Sequence, residues 1–119
     1  MSGSVEEVAK TALGLPETAE GRHHDIPDFR VRGKVFCTAR TNERLAMVKL
    51  PLEIQTAVMS EHPGAITPAA GAWGRNGATL VRTDLVPAGL LADLIVSAWR
   101  HVAPGPLVAA YLADQEGPA

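Results

Sequence analysis

The sequence predicts an α+β domain in which helices pack on one face of an antiparallel sheet. Three observations lead to this fold class: a helical apolar stripe near the N-terminus, several consecutive strand-like segments in the middle, and a strongly helical period towards the C-terminus. A chain of 119 residues forms one hydrophobic core rather than two. We therefore expect a single domain over residues 1–119, with its core at about 5–112 and a mobile tail at 114–119.

The first helix is predicted to begin after Ser4. Ser4 and Glu7 have the spacing of a capping box, and apolar side chains then recur at helical intervals as far as Leu13. Gly14 and Pro16 end this helix, because glycine favours a helix C-terminus and proline cannot continue one.

A β-hairpin is predicted next, from alternation of apolar and basic residues. Phe29 and Val31 alternate with Arg30 and Arg32, so the two arginines are expected on the face of the sheet opposite the core. Gly33 and Lys34 are predicted to form a two-residue type II′ turn, which favours glycine at its first position. That turn sets two cross-strand pairs, Val31 with Phe36 and Arg32 with Val35.

The later elements follow from periodicity and from the placement of proline and glycine. In order, we predict a strand at 44–50, a helix from Pro51 to Pro63, an extended piece at 65–68, a tight turn in "WGRNGAT", a strand at 79–83, a helix at about 87–102, and a last helix at 107–113. Trp99 lies on the apolar stripe of the long helix and is expected in the core. Trp73 is expected to hold the "WGRNGAT" turn against the rest of the fold.

Charge is distributed unevenly along the chain, although the net charge is only −2. Residues 22–49 carry seven basic against three acidic residues, a net +4, whereas the segments before and after each carry a net −3. The total argues against attraction of nucleic acid to the whole surface, and the distribution predicts one basic region.

Several function classes have little support in the sequence. Cys37 is the single cysteine, which excludes an internal disulfide and leaves too few thiols for a zinc cluster, and no general base stands near it in the sequence. His23 and His24 are adjacent, and adjacent strand residues point to opposite faces, so we expect no metal site. The glycines of "GRNGAT" lack the lysine and the following helix of a phosphate-binding loop. We expect neither a cofactor nor catalysis.

The length of the apolar runs and the composition of the N-terminus both bear on the cellular location. No apolar run approaches the roughly 20 residues that span a bilayer, and "MSGSVEEVAK" carries acidic residues where a signal peptide has a basic flank. We therefore expect a cytoplasmic protein that does not enter the membrane.

Six short segments, in this order and spacing, resemble the MmcQ/YjbR family: "ALGLP", "FRVRGKVF", "VKLP", "HPGAITPA", "WGRNG.T" and "AWRHVAP". The resemblance covers about residues 5–112. It implies a fold similar to that of the frataxin homologue CyaY, and a DNA-binding role through paired hairpins described as a double wing. Many relatives have an additional aromatic residue just after the "WGRxG" segment, where this chain has Ala78.

We expect weak, salt-sensitive DNA binding in which basic hairpin side chains contact phosphates and one tryptophan stacks on an unpaired base. The candidate residues are Arg30, Arg32, Lys34, Trp73, Arg75 and Arg82.

Two other interpretations remain open. The alternating arginines are also typical of the solvated face of a half-buried sheet. Alternatively, a groove lined by Trp73, Phe29 and Arg75 would bind a small planar natural product, for example in self-resistance. Salt dependence separates the hypotheses, since only DNA binding weakens steeply with added salt.

Overall fold

A computed structural model describes residues 1–116 and shows a six-stranded antiparallel sheet with helices packed against it. The strand order is β1-β2-β3-β4-β6-β5. The elements are α1 (Val5–Leu13), β1 (Thr18–His23), β2 (Ile26–Val31), β3 (Lys34–Arg40), β4 (Leu45–Lys49), α2 (Leu52–Glu61), β5 (Ile66–Pro68), α3 (Gly71–Arg75), β6 (Ala78–Arg82), α4 (Ala88–Val102) and α5 (Gly105–Glu116). The predicted fold class is confirmed.

The core lies between the sheet and helices α1 and α4. Helix α4 crosses strands β3 and β4 and packs against α1. Trp99 of α4 is completely buried, as predicted, and its indole N–H donates to the carbonyl of Pro16 at 3.1 Å. The ring of Tyr111 from α5 meets Trp99 edge to face, with 5.0 Å between centroids. An aromatic residue in such a position contributes about 3–5 kcal/mol to stability.

Strand β1 was not foreseen, because it buries none of its residues and so has no apolar alternation. It is joined to β2 by His24 and Asp25, which have φ values of +51° and +65°. Positive φ at both central residues is the mark of a type I′ turn, whose twist suits a two-residue hairpin. Strand β2 consequently begins at Ile26, three residues before the predicted alternation starts.

The central hairpin forms, but its predicted turn and register are wrong. Arg32 and Gly33 occupy the turn, with φ values of +49° and +82°, so this turn is also type I′. Val31 therefore pairs with Lys34. A β-bulge then shifts the register, so that neighbouring Phe36 and Cys37 are both buried. The expected burial of Phe29, Val31 and Phe36 is confirmed.

The "WGRNGAT" segment is more than a turn, and Trp73 does not hold it to the core. Residues Gly71–Arg75 form helix α3, in which the Trp73 residue is 71% exposed. Close backbone approach fixes the segment instead: a Cβ on Gly74 would collide with the Ala69 carbonyl, and one on Gly77 with the Leu50 carbonyl.

Smaller differences concern the helices. The Ser4 hydroxyl donates to the Glu7 carboxylate at 3.1 Å and does not cap a backbone N–H of α1. Helix α2 buries Gln55 and Val58, whereas Ile54, expected on the same apolar face as Val58, is exposed. Helix α5 continues to Glu116, past the expected start of the mobile tail, and residues 117–119 of that tail lie outside the described residues.

Gly77→Ala should destabilise the protein by about 2 kcal/mol or more, because the residue has a φ of +105° and its new methyl group would meet the Leu50 carbonyl. Gly89→Ala is the matched control. Gly89 lies in α4 with open space around it, so alanine there should stabilise by about 0.5–1 kcal/mol. Urea unfolding of both variants measures the two effects, and equal changes would contradict the steric explanation.

Candidate functional site

The face of the sheet opposite α1 and α4, termed the open face, carries a shallow apolar cavity. Alternation along the strands places Ile26, Leu45, Met47 and Leu80 on this face, where they line a cavity of ≈ 300 Å³. We term this cavity the apolar cup.

One wall of the apolar cup is Trp73, with Ala69 beside it. The polar groups around the cup are Thr38 and Arg40 of β3, His23 of β1 and Asp28 of β2. An exposed indole above an apolar floor can hold a flat apolar group against its face.

Gln55 holds helix α3, and with it Trp73, in place. This residue of α2 is buried, and its amide donates to the Gly74 carbonyl at 2.9 Å and to the Thr79 hydroxyl at 3.1 Å. The same amide lies 3.4 Å from the Ala78 carbonyl. Buried backbone carbonyls need partners, so this one side chain joins α3 to the start of β6.

A second depression lies at the end of the sheet where β3 begins and β4 ends. Because these strands are antiparallel, Lys34 and Lys49 come together there, and His101 from the last turn of α4 and Asn76 join them. We term these four residues the basic groove. The described residues that line it include no carboxylate. Lys49 and Asn76 also share a smaller depression with Trp73, so the tryptophan stands between the groove and the apolar cup.

Arg30, one of the six candidate DNA contacts, is already engaged in an ion pair. Its Nε and Nη2 donate to the two Asp28 carboxylate oxygens at 2.8 and 3.0 Å. The Asp28 side chain is 3% exposed and that of Arg30 is 40% exposed. Hydrogen bonding with the Arg30 guanidinium lowers the pKa of Asp28 and raises that of Arg30.

Arg32 lies in the turn between β2 and β3, not on a strand face. Its Nε and Nη2 donate to Glu17 at 2.8 and 3.1 Å. This contact lowers the pKa of Glu17 and raises that of Arg32. Both side chains are about half exposed, so the pair adds little to stability.

The other candidates lie at different places around the sheet. Lys34 is in the basic groove, Trp73 is beside it, and Arg75 is exposed immediately before Asn76. Arg82 lies at the opposite end of the sheet, across from Leu45. None of the three cations among them, Lys34, Arg75 and Arg82, forms an ion pair with a described residue. The structure thus brings three of the six candidates together and leaves Arg30, Arg32 and Arg82 apart.

Sequence reasoning missed Lys49 and His101. Lys49 continues the alternation of Leu45 and Met47, which was a usable signal for its position on the open face. Its proximity to His101 depends on how α4 crosses the sheet, and no local pattern reports that.

The Cys37 thiol is buried in the core. Burial raises its pKa, and the charge of Asp28 acts in the same direction. Such a thiol stays protonated near neutral pH. Within residues 1–116, no three histidine, cysteine, aspartate or glutamate side chains are grouped to hold a metal ion, and no helix has the length and apolar character to span a bilayer.

Comparison with known proteins gives a family and a fold. A sequence model described as YjbR matches residues 13–101. Among solved structures, the Deinococcus radiodurans protein DR2400, described as a DUF419 domain, is similar with a TM-score of 0.75 and 18% identity. The similarity covers 98% of this chain and 91% of that one, and at this identity it shows the fold alone. No curated protein matches the chain.

Asp28→Asn should reduce the loss of folding stability that occurs at acidic pH. The folded-state pKa of Asp28 is lowered, so its stabilising contribution is present above the unfolded-state pKa of about 4 and is lost as the pH falls through the folded value. Urea midpoints at pH 7 and pH 3 measure this effect. Wild type should lose more stability between these two values than the variant, and equal losses would contradict the role of the Asp28–Arg30 pair.

Gln55→Ala should cost about 1–3 kcal/mol, because it leaves the buried Gly74 carbonyl and the Thr79 hydroxyl without this donor. It should also increase the local motion of Trp73. Urea unfolding gives the first quantity, and tryptophan fluorescence anisotropy decay in a Trp99→Phe background gives the second. Gln55→Glu retains the shape but has one less donor group, so an unaltered Trp73 signal in both variants would contradict the proposed support.

Proposed function

The chain belongs to the YjbR family, and from this premise and the charge distribution we propose that it is a non-enzymatic DNA-binding protein that contacts phosphates through the basic groove. The observation that carries the proposal is the meeting of Lys34, Lys49 and His101 in a depression whose described lining has no carboxylate. Lysine side chains act as point charges for phosphate, and they position a nucleic acid without reading its sequence.

The small number of cations predicts weak binding. Each phosphate contact to duplex DNA changes the logarithm of the affinity by about 0.9 per unit of log salt. With about three contacts, a fourfold increase in salt weakens binding by about 40-fold. Arg30 and Arg32 should add little, because Asp28 and Glu17 already balance their charges.

Trp73 extends the proposed contact to an unpaired base. It stands beside Lys49 and Asn76, and most of its surface is exposed. Stacking of a base on such a ring is worth about 1–3 kcal/mol and requires a base that is not already paired. Arg75 is exposed next to Asn76, where a neighbouring phosphate would lie within reach.

Absence of catalysis and a cytoplasmic location are parts of the same proposal. In support of the first, the single thiol is buried and protonated near neutral pH. A protein that binds DNA has to share a compartment with it, and the proposal places both in the cytoplasm.

Fluorescence anisotropy with a labelled 15-nucleotide thymidine oligomer and a duplex of equal length tests the proposal. Lys34→Ala and Lys49→Ala should each weaken binding to both and reduce the salt slope by about 0.7–0.9. Trp73→Ala should weaken single-strand binding by about tenfold, with less effect on the duplex.

Arg44→Ala is the matched control, since Arg44 lies at the opposite end of β4 and pairs with Asp84 at 3.6 Å. It should leave both affinities unchanged at 100 mM salt. No anisotropy change for wild type at 50 mM salt, or equal loss in Arg44→Ala and Lys49→Ala, would remove the basic groove as a DNA contact.

A further inference from the structure

We propose that the apolar cup is a separate binding site for a small, uncharged, planar aromatic compound of two or three fused rings. The site goes beyond the proposed DNA contact, because it lies on the other side of Trp73 from the basic groove and offers a different chemistry.

The size and lining of the cup indicate a small molecule. Its volume of ≈ 300 Å³ lies at the lower end of the range for small-molecule pockets. The floor is built by Met47 and Leu80 on adjacent strands, with Ile26 and Leu45 beside them. These side chains come from neighbouring strands and together form a broad apolar surface, which one face of a flat compound can cover.

Trp73 adds the reason to expect an aromatic occupant. Its ring forms a wall of the cup and 71% of the residue is exposed, whereas Phe29, Phe36 and Trp99 are buried in the core. The Gln55 amide and the close packing of Gly74 on Ala69 hold its helix, so the backbone that carries the ring is fixed before a ligand arrives. Offset stacking on this ring then has to order only the two χ angles of its side chain.

The charges around the cup favour an uncharged occupant. Two charged residues line it, and each has a partner of opposite sign. Asp28 accepts two hydrogen bonds from Arg30, and Arg40 lies 3.3 Å from Glu43. An ionic ligand would have to displace one of these pairs. The Thr38 hydroxyl makes no side-chain hydrogen bond with a described residue, so it can bind one polar group on the edge of a neutral ring system.

The same pairing argues against a polynucleotide in the cup. Phosphates need unpaired cations, and the described lining of the cup contains only the one arginine, already paired. A nucleobase on its own remains a competing occupant, and the experiment below separates the two.

The test is a titration with 6-propionyl-2-dimethylaminonaphthalene, a neutral two-ring dye whose emission shifts to the blue in apolar surroundings. Wild type should bind one equivalent with a blue shift, and the affinity should change by less than twofold between 50 and 500 mM salt. Trp73→Ala should weaken binding at least tenfold, and because that side chain is exposed the variant should remain folded.

Leu80→Asp should abolish binding by placing a charge in the floor. Leu85→Asp is its matched control, since Leu85 is an exposed leucine that does not line the cup, and it should bind as wild type does. If Leu80→Asp is unfolded by circular dichroism, Trp73→Ala and the control decide the result.

Three results would overturn the inference: no saturable blue shift with wild type, equal affinity in wild type and Trp73→Ala, or displacement of the dye by the thymidine oligomer that is undiminished in Lys49→Ala. The last would make the cup a nucleobase platform. A dye that binds to a protein without measurable DNA affinity would uphold the cup and reject the basic groove, so the two proposals fail separately.

Discussion

Burial of a single face of the sheet is the constraint on which the other features depend. Helices α1 and α4 pack together over β3 and β4, and Trp99 fills the centre of that layer. A two-layer arrangement satisfies the apolar side of the sheet and leaves the second side without a covering element. The cup around Met47 exists because no helix covers that side, whereas the groove at Lys49 lies at the end of the sheet, where His101 of α4 reaches it. The shape of the site therefore follows from which face of the sheet the helices cover.

The second determinant is the corner formed by α2, α3 and β6. Polar contact replaces apolar packing here, since Gln55 is buried and its amide is surrounded by acceptors from Gly74 to Thr79. A buried amide that donates hydrogen bonds to several acceptors fixes the orientation of the segments it joins better than an aliphatic side chain does. The backbone at Trp73 is thereby fixed although the side chain itself is exposed.

Much of the fold follows from local periodicity, and the failures have a common cause. Side chains with a strong apolar period, such as Phe29, Val31 and Trp99, are buried as expected. Strand β1 has no such period, because it lies at an edge and buries nothing. In the central hairpin, glycine suits either two-residue turn, and the register that forms includes a bulge at Phe36, which is a property of the assembled sheet. For the site, the sequence identified the basic residues. Their ion-pair partners and the approach of His101 could be found only in the tertiary structure.

The two outermost strands have a consequence for how molecules of this protein meet. Strand β1 presents Glu20 and Arg22 along its length, and β5 is three residues long and ends at Pro68, which has no amide proton to offer. Charges, brevity and proline each discourage a neighbouring copy from adding its own strand. One side of the sheet can therefore stay uncovered without edge-to-edge pairing between copies of the chain.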